Sequence, residues 1–501
     1  MFTQEIFVTA LEHLFISWGI LAIPVGLIAG VIVGAVPGLT APMGVALVLP
    51  FTFFMDPVSA ILLLLGVYKG GIYGGSIPAI LLNTPGTVAA SATTLDGYQM
   101  TLSGQSKKAL DIALISSVLA DIVSTLMLIL FTGYLAKLAL NFGSPETFSL
   151  IFFSLFIISS ISGDQIMKGL VAALLGLLAA MVGVDSYYGT PRFNFGNVSM
   201  MNGFTILPLL VGFFAFSEVL FRLVNVQAKF KIDNAQRMIG KSLESAEIKR
   251  LLPTIFRSSL FGTILGAIPG IGAAPAAFFA YSEAKRRSKF PDQFGKGSME
   301  GVAAPEAANN AVCSASFIPV LSLGIPGGTA AAVIMGAFIM QGLAPGPYLF
   351  KENRDIILAI YLGLLLGSAF LFGLGHIAIK AFVRIKLIPD WFIYPTILVL
   401  CFFSGFVVSS SFFDVKIMLF AGVLGLIFRY LTIPIAPFLI GFILGPLLEN
   451  SFRESLMQSD GDLAVFFTGP ICIFFWLLSL GSFAFTLWRT LRKDIIISDS
   501  K

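Results

Sequence analysis

Two charged side chains stand inside stretches that are otherwise apolar, Lys69 in Tyr68-Lys69-Gly70-Gly71 and Asp121 in Ala120-Asp121-Ile122. A charge at that depth is costly, so it points to a site or to an opposite charge beside it. Lys69 could meet a carboxylate, and its long stem could equally carry the ammonium out to an interface. Asp121 has Ser117 and Ser124 one turn away on either side. It could hold a proton or a small cation, or simply hydrogen-bond those serines in helix packing. A third group, Pro305-Glu306-Ala307-Ala308-Asn309-Asn310-Ala311 followed by Ser314 and Ser316, sets two amides beside a carboxylate at the mouth of an apolar helix. Amides offer donors to an anion and oxygens to a cation. The plainer alternative is that Glu306 and Asn309 cap the helix. Ser76, Asp121, Glu306 and Ser314 are the oxygen-bearing candidates for a small ion.

The stretch Tyr68-Lys69-Gly70-Gly71-Ile72-Tyr73-Gly74-Gly75-Ser76 leads through an apolar run to Asn83-Thr84-Pro85-Gly86-Thr87. Four glycines and a proline inside an apolar segment predict a broken helix, tolerated in hydrocarbon only where protein or a water-filled cavity surrounds it. Broken ends expose N–H groups attractive to carboxylates and carbonyls attractive to cations. The paired polar side chains favour binding at Asn83, Thr84, Pro85, Gly86 and Thr87, with Lys69. The second half answers with Asn309, Asn310 and Gly324-Ile325-Pro326-Gly327-Gly328-Thr329, so that Gly327, Gly328 and Thr329 join the candidate substrate-binding set. The two interruptions are expected to meet inside the bilayer. Gly26, Gly30, Gly34, Gly262 and Gly266 are read instead as close-packing positions, and His376 as a packed core histidine.

What must position these groups is a membrane fold. The 501 residues are 57% hydrophobic and 12% charged, with a mean hydropathy of +0.93, so many apolar segments of bilayer length are expected. The first is preceded by Glu5 and Glu12 without Lys or Arg, unlike a secretory signal, and is expected to be retained. The chain reads as two similar halves. Gly30-x3-Gly34-Ala35-Val36-Pro37-Gly38 answers Gly262-x3-Gly266-Ala267-Ile268-Pro269-Gly270, and Ile77-Pro78-x6-Pro85-Gly86 answers Ile318-Pro319-x6-Pro326-Gly327. Expected divisions are a first membrane repeat over 1–225, a cytoplasmic linker over 226–252, a second repeat over 253–450, and a final transmembrane helix and tail over 451–501.

Charge suggests how each copy faces. No Lys or Arg occurs from Met1 to Val67, whereas Lys249, Arg250 and Arg257 precede the second motif and Lys285, Arg286, Arg287 and Lys289 follow it. Both flanks of the first motif therefore read as extracytoplasmic and both flanks of the second as cytoplasmic. Arms of roughly 15 residues, about 23 Å at a helical rise, are short for full crossings. Two re-entrant hairpins of opposite orientation follow, with tips at Pro37, Gly38 and Thr40 and at Pro269 and Gly270. The fold class is an all-α polytopic membrane protein of two inverted repeats, each with a re-entrant hairpin and broken helices.

Other functions lose support. Cys313, Cys401, Cys472, His13 and His376 are scattered, so no metal-ligand spacing exists. Gly295-Lys296-Gly297-Ser298 lacks the upstream glycine of a phosphate loop. The +4 formal charge lies in loops and says nothing for nucleic acid. No Ser/His/Asp constellation supports an enzyme, and no cofactor is expected. An ion channel with glycine-rich pore-lining breaks is the alternative to a carrier.

Longer motifs carry a resemblance. Gly34-Ala35-Val36-Pro37-Gly38-Leu39-Thr40, Tyr73-Gly74-Gly75-Ser76 to Asn83-Thr84-Pro85-Gly86, Asp96-Gly97-Tyr98-Gln99-Met100, Gly104-Gln105 and Glu300-Gly301-Val302 through Asn310-Ala311 resemble the large (TctA-type) membrane subunit of the tripartite tricarboxylate transporter family, over about residues 15 to 445. The resemblance implies a bacterial inner-membrane permease importing citrate-like di- or tricarboxylates on a sodium or proton gradient. It also implies two partners, a small (TctB-type) membrane subunit and a periplasmic (TctC-type) solute-binding protein. It further implies kinship with a wider ion-transporter superfamily whose hairpin tips sit in a mobile domain, so an elevator-like motion follows by analogy. Asn83-Thr84 matches the tip pattern of that superfamily, whereas Gly324-Ile325 stands at the second tip, where backbone groups would serve.

Overall fold

The computed structural model describes residues 3–15, 18–36, 39–161, 166–224, 240–385, 390–407, 411–482 and 484. The expected tip residues Pro37 and Gly38, most of the central linker and most of the C-terminal tail lie outside them. The first half runs α1 (Gln4–Phe15), α2 (Gly19–Ala35), α3 (Ala41–Val48), α4 (Pro57–Gly74), α5 (Ser76–Leu82), α6 (Ala90–Leu102), α7 (Ser106–Ala139), α8 (Ser144–Ile161), α9 (Ile166–Ala180), α10 (Ile206–Val211) and α11 (Ser217–Val224). The second half runs α12 (Ser245–Ala267), α13 (Ala273–Arg287), α14 (Met299–Ala315), α15 (Phe317–Leu323), α16 (Thr329–Met340), α17 (Leu349–Glu352), α18 (Arg354–Ile385), α19 (Asp390–Val407), α20 (Phe412–Tyr430) and α21 (Ile435–Gln458). Among the described residues, five helical stretches are long and apolar enough to cross a bilayer, or six if the bent pair α1–α2 counts as one span. The chain is an all-α polytopic membrane protein.

Small residues decide how the helices approach. A methyl group built at Gly26, Gly30 or Gly34 of α2 would overlap a backbone carbonyl of Leu63, Val67 or Gly71 in α4, so the two backbones touch along their length. The same rule repeats in the second half, where Gly262 and Gly266 of α12 admit Ala308 and Val312 of α14. These contacts also explain a departure from the sequence reading. Gly70 and Gly71 do not interrupt α4, which is helical from Pro57 to Gly74 and turns only at Gly75. A glycine weakens a helix by about 1 kcal/mol, and packing against α2 offsets that.

The local backbone of the two halves repeats step by step. Gly75 and Ser316 are the turns between α4 and α5 and between α14 and α15. Asn83 (φ 57°) and Gly324 (φ 71°) end α5 and α15 in the left-handed conformation. The Gly86 N–H then donates to Gly75 O (3.1 Å), as Gly327 N–H does to Ser316 O (3.3 Å). Each half also has a helix–break–helix at its expected tip, α2 to α3 and α12 to α13. The second differs from expectation in length. α12 has 23 residues and begins at Ser245, inside the stretch expected as linker, because Glu244 and Glu247 form a capping box that starts the helix early.

The halves are interleaved. α7 of the first half packs on α12 and α14 of the second, while α18 of the second packs on α2 and α4 of the first. A second body, α8 to α11 with α19 to α21, joins this one chiefly through α3 and α16, the helices that directly follow the breaks. Between α9 and α10 a short hairpin (Gly183–Val184 with Pro191–Arg192) is pinned to α21. Asp185 binds Arg453 (2.9 Å) and Arg192 (3.3 Å), and both arginines reach Glu449. The Tyr188 N–H, helped by the Tyr187 N–H and Arg453 and opposed by burial, holds the Asp185 carboxyl down at about 2.

Candidate functional site

The centre of the interleaved body is the crossing of α4 with α14, and side-chain contacts fix its direction. The Tyr68 ring meets Phe317 (6.4 Å between centroids), whereas Ser76, eight residues further along α4–α5, meets Glu306, eleven residues back along α14. The two helices, equivalent in the repeat, therefore run antiparallel. Tyr68 is level with the turn at Ser316, so the turn at Gly75 lies seven residues away, about 10 Å along the axis. Asn83 and Gly324 each end the short helix that follows its turn, α5 and α15.

One node of that polar seam is an ion pair. Lys69 Nζ donates to Asp121 Oδ2 (2.7 Å) and to Leu364 O (2.9 Å), and Asp121 accepts from Ser314 Oγ (3.1 Å) and Ser368 Oγ (2.6 Å). Both side chains are 2% exposed. Lys69 thus turns inward instead of snorkelling, and the partners of Asp121 are Ser314 and Ser368, not Ser117 and Ser124. Ser124 instead donates to Ala311 O, and Ser314 shares a hydrogen bond with Thr125 (2.9 Å). Four helices, α4, α7, α14 and α18, supply this node.

The other node is built on Glu306, which lies in the middle of α14 and caps nothing, since Ser298 holds the N-cap and its Oγ accepts from Gly301 N–H. Its Oε1 accepts from Ser76 Oγ (2.6 Å) and from Thr93 Oγ1, and its Oε2 from Ser117 Oγ (3.4 Å). Asn310 Nδ2 donates to Ser117 Oγ (2.8 Å) and to Glu306 O (3.0 Å). Three first-half elements, α5, α6 and α7, thereby close on one second-half carboxylate. Tyr73 Oη on α4, Thr84 Oγ1 at the first break and both amide atoms of Asn309 on α14 are buried and find no partner among the described residues. Unsatisfied buried polar groups are costly and call for a reason, a ligand among them.

The breaks contact their own half. A methyl group at Gly86 would overlap the Gly34 carbonyl, which sets the Pro85-Gly86 turn against the first helix–break–helix. In the second half the Gly270 N–H, beside Pro269, donates to Gly327 O (3.0 Å). Asn83 is exposed, Thr84 and Pro85 are partly buried, and Thr87 Oγ1 accepts from Ala90 N–H (3.3 Å). Gly328 and Thr329 open α16, and Thr40 precedes α3 without a side-chain cap.

Sequence reasoning missed Thr93, Ser368 and the use made of Asp96. That carboxylate lies in the Asp96-Gly97-Tyr98 motif, and its Oδ1 accepts the N–H groups of Gly295 (2.9 Å), Gly297 (2.8 Å) and Ser298 (2.7 Å). Tyr281 Oη donates to its Oδ2 (2.9 Å), so Asp96 ties α6 to the loop that launches α14. His376 is likewise misread. It is exposed on α18, stacked edge-on against Phe372, because the face opposite Gly375 points away from the protein.

Apolar helices of bilayer length around a buried, charged seam define a multi-pass membrane protein built around an intramembrane polar site. Residues 20–440 match the family model of the Tripartite tricarboxylate transporter TctA family, and the chain belongs to that family. It is 37% identical over 487 residues (97% of this chain, 96% of the relative) to an uncharacterized 52.8 kDa protein in the TAR-I ttuC' 3' region of Agrobacterium vitis. It is 40% identical over 243 residues to an uncharacterized protein in the TAR-II ttuC' 3' region of the same organism, covering 48% of this chain and all of that relative. No solved structure matches it.

Proposed function

We propose that the chain is the permease subunit of a binding-protein-dependent secondary transporter that imports citrate-like di- and tricarboxylates across the bacterial inner membrane, driven by a sodium or proton gradient. The observation that carries this reading, beyond family membership, is the seam itself: carboxylate, ammonium, amide and hydroxyl groups from both halves share ligands at the crossing of α4 and α14. A channel needs a continuous hydrated path, whereas these groups are buried and bonded to one another, which favours an occluded, alternating site.

Antiparallel pairing of two equivalent helices supports inverted repeats, since copies facing the same way would set α4 and α14 parallel. The breaks at Asn83–Thr87 and Gly327–Thr329, with Asn309 and Asn310, would hold the substrate, and the buried orphan atoms of Thr84 and Asn309 suit that role. The narrow junction through α3 and α16 suits a transport body that moves against a second body, the elevator-like scheme. A small membrane subunit and a periplasmic solute-binding protein would complete the system, the latter choosing the ligand.

Uptake of radiolabelled citrate, succinate and malate into proteoliposomes containing all three subunits tests the reading. Saturable uptake that requires the binding protein and an imposed sodium or pH gradient is expected. Uptake that is unsaturable and independent of the binding protein would mean a channel.

A further inference from the structure

Resting on the transporter reading above, we infer that Glu306, and not Asp121, exchanges the coupling cation, and that the cation is a proton. A buried carboxylate needs a countercharge, because desolvation penalises a bare ion heavily. Asp121 carries its own, in Lys69 at 2.7 Å. Glu306 is fully buried and, among the described residues, no lysine, arginine or histidine pairs with it; its three partners are hydroxyls.

The internal repeat sharpens the contrast. Gly75, Pro78, Asn83 and Gly86 answer Ser316, Pro319, Gly324 and Gly327 at a constant offset of 241 positions, so Lys69 answers Asn310. Where the first copy has an ammonium bonded to Asp121, the second has a neutral amide that bonds Ser117 Oγ and the main-chain oxygen of Glu306, leaving its carboxylate with hydroxyls alone. The missing positive charge must then come from an exchangeable ion. A proton is the ion that neutralises a lone carboxylate on one oxygen without further ligands, and Glu306 Oε1 is already engaged by the hydroxyls of Ser76 and Thr93. Oε2, with only Ser117 at 3.4 Å, is the oxygen left to carry the exchanged proton.

Other titratable groups on the packed helices are already committed. On α4, Lys69 is paired and Tyr73 offers no positive charge. On α7, Asp121 is paired and Asp111 accepts Leu243 N–H; on α6, Asp96 is saturated by N–H groups and Tyr281. On α13, Glu283 pairs with Arg287 (2.7 Å), and on α12 the Nε of Arg257 has no hydrogen-bond partner among the described residues. In each cycle an O–H bond forms at Glu306 on the loading side and breaks on the release side, giving the proton to water as the carboxylate leaves.

The test uses the complete system in proteoliposomes with the citrate, succinate and malate panel. A gradient of about one pH unit supports about tenfold accumulation per coupled proton. E306Q mimics the protonated acid, so it is expected to lose pH-driven accumulation, its ratio falling to unity, while still exchanging internal for external substrate; E306D is expected to regain accumulation. Retained pH-driven accumulation in E306Q, loss of exchange together with accumulation in folded E306Q, or wild-type accumulation driven by sodium alone would each overturn the inference. Wild-type protein that accumulates no carboxylate under any gradient would instead refute the transporter reading.

Discussion

Removing the Lys69 ammonium should be far more damaging than removing the whole Lys69–Asp121 pair. In Lys69→Met the Asp121 carboxylate keeps only the hydroxyls of Ser314 and Ser368, and in Asp121→Leu the ammonium keeps only Leu364 O. With both side chains 2% exposed, each single change strands a buried charge, for which about 3–5 kcal/mol is expected. Replacing both by apolar residues of similar volume removes the charge and its desolvation together, and such replacements are often neutral or stabilising. The double variant should therefore recover at least about 3 kcal/mol relative to the sum of the singles. The assay is denaturant-induced unfolding of the purified protein in detergent, followed by tryptophan fluorescence and analysed as a double-mutant cycle. Losses that add within about 0.5 kcal/mol, the tolerance for independent sites, would show that the pair does not act as a unit and would remove the contrast with Glu306.

Asn83→Ala and Asn310→Ala should each abolish carboxylate uptake while the protein still reaches the membrane at wild-type levels, measured by proteoliposome uptake beside an immunoblot; Asn83→Gly, which accepts the left-handed φ of 57°, separates backbone from side chain at that tip. Asp96→Ala leaves the N–H groups of Gly295, Gly297 and Ser298 without their acceptor, at about 1–3 kcal/mol for each unsatisfied group. Unfolding should occur at lower denaturant, with faster amide exchange in the loop before α14. The Asp185 clamp should depend on pH with a defined sign. Its carboxyl is lowered from 3.8 to about 2 in the folded protein, so its stabilisation is complete above the unfolded value and fades as the pH falls through about 2. The protection of the Tyr187 and Tyr188 amides, measured against the intrinsic exchange rate at each pH, should hold above about pH 4 and fall on approach to about pH 2.

What the residues alone disclosed, and what they withheld, divides along the range of the interaction. The class follows from composition. The turns at Asn83–Gly86 and Gly324–Gly327 follow from glycine and proline, whose backbone effects are local. The unbroken α4 was misjudged because Gly70 admits Leu27 of α2 and Gly71 admits Ala41 of α3, surfaces some 30 to 43 positions earlier in the chain, and a glycine does not announce whether it bends a helix or admits a neighbour. The Lys69–Asp121 pair joins residues 52 positions apart; two opposite charges in apolar segments were the signal available, and charge balance between them would have found it. Glu306 is harder. Its partners Ser76, Thr93 and Ser117 lie about 190 to 230 positions away, and hydroxyls are too common in membrane helices to be singled out by type. Only the repeat offset, which sets Asn310 where the other copy has Lys69, separates a carboxylate that owns its countercharge from one that must borrow it, and that difference acquires meaning once α4 and α14 are seen to cross antiparallel.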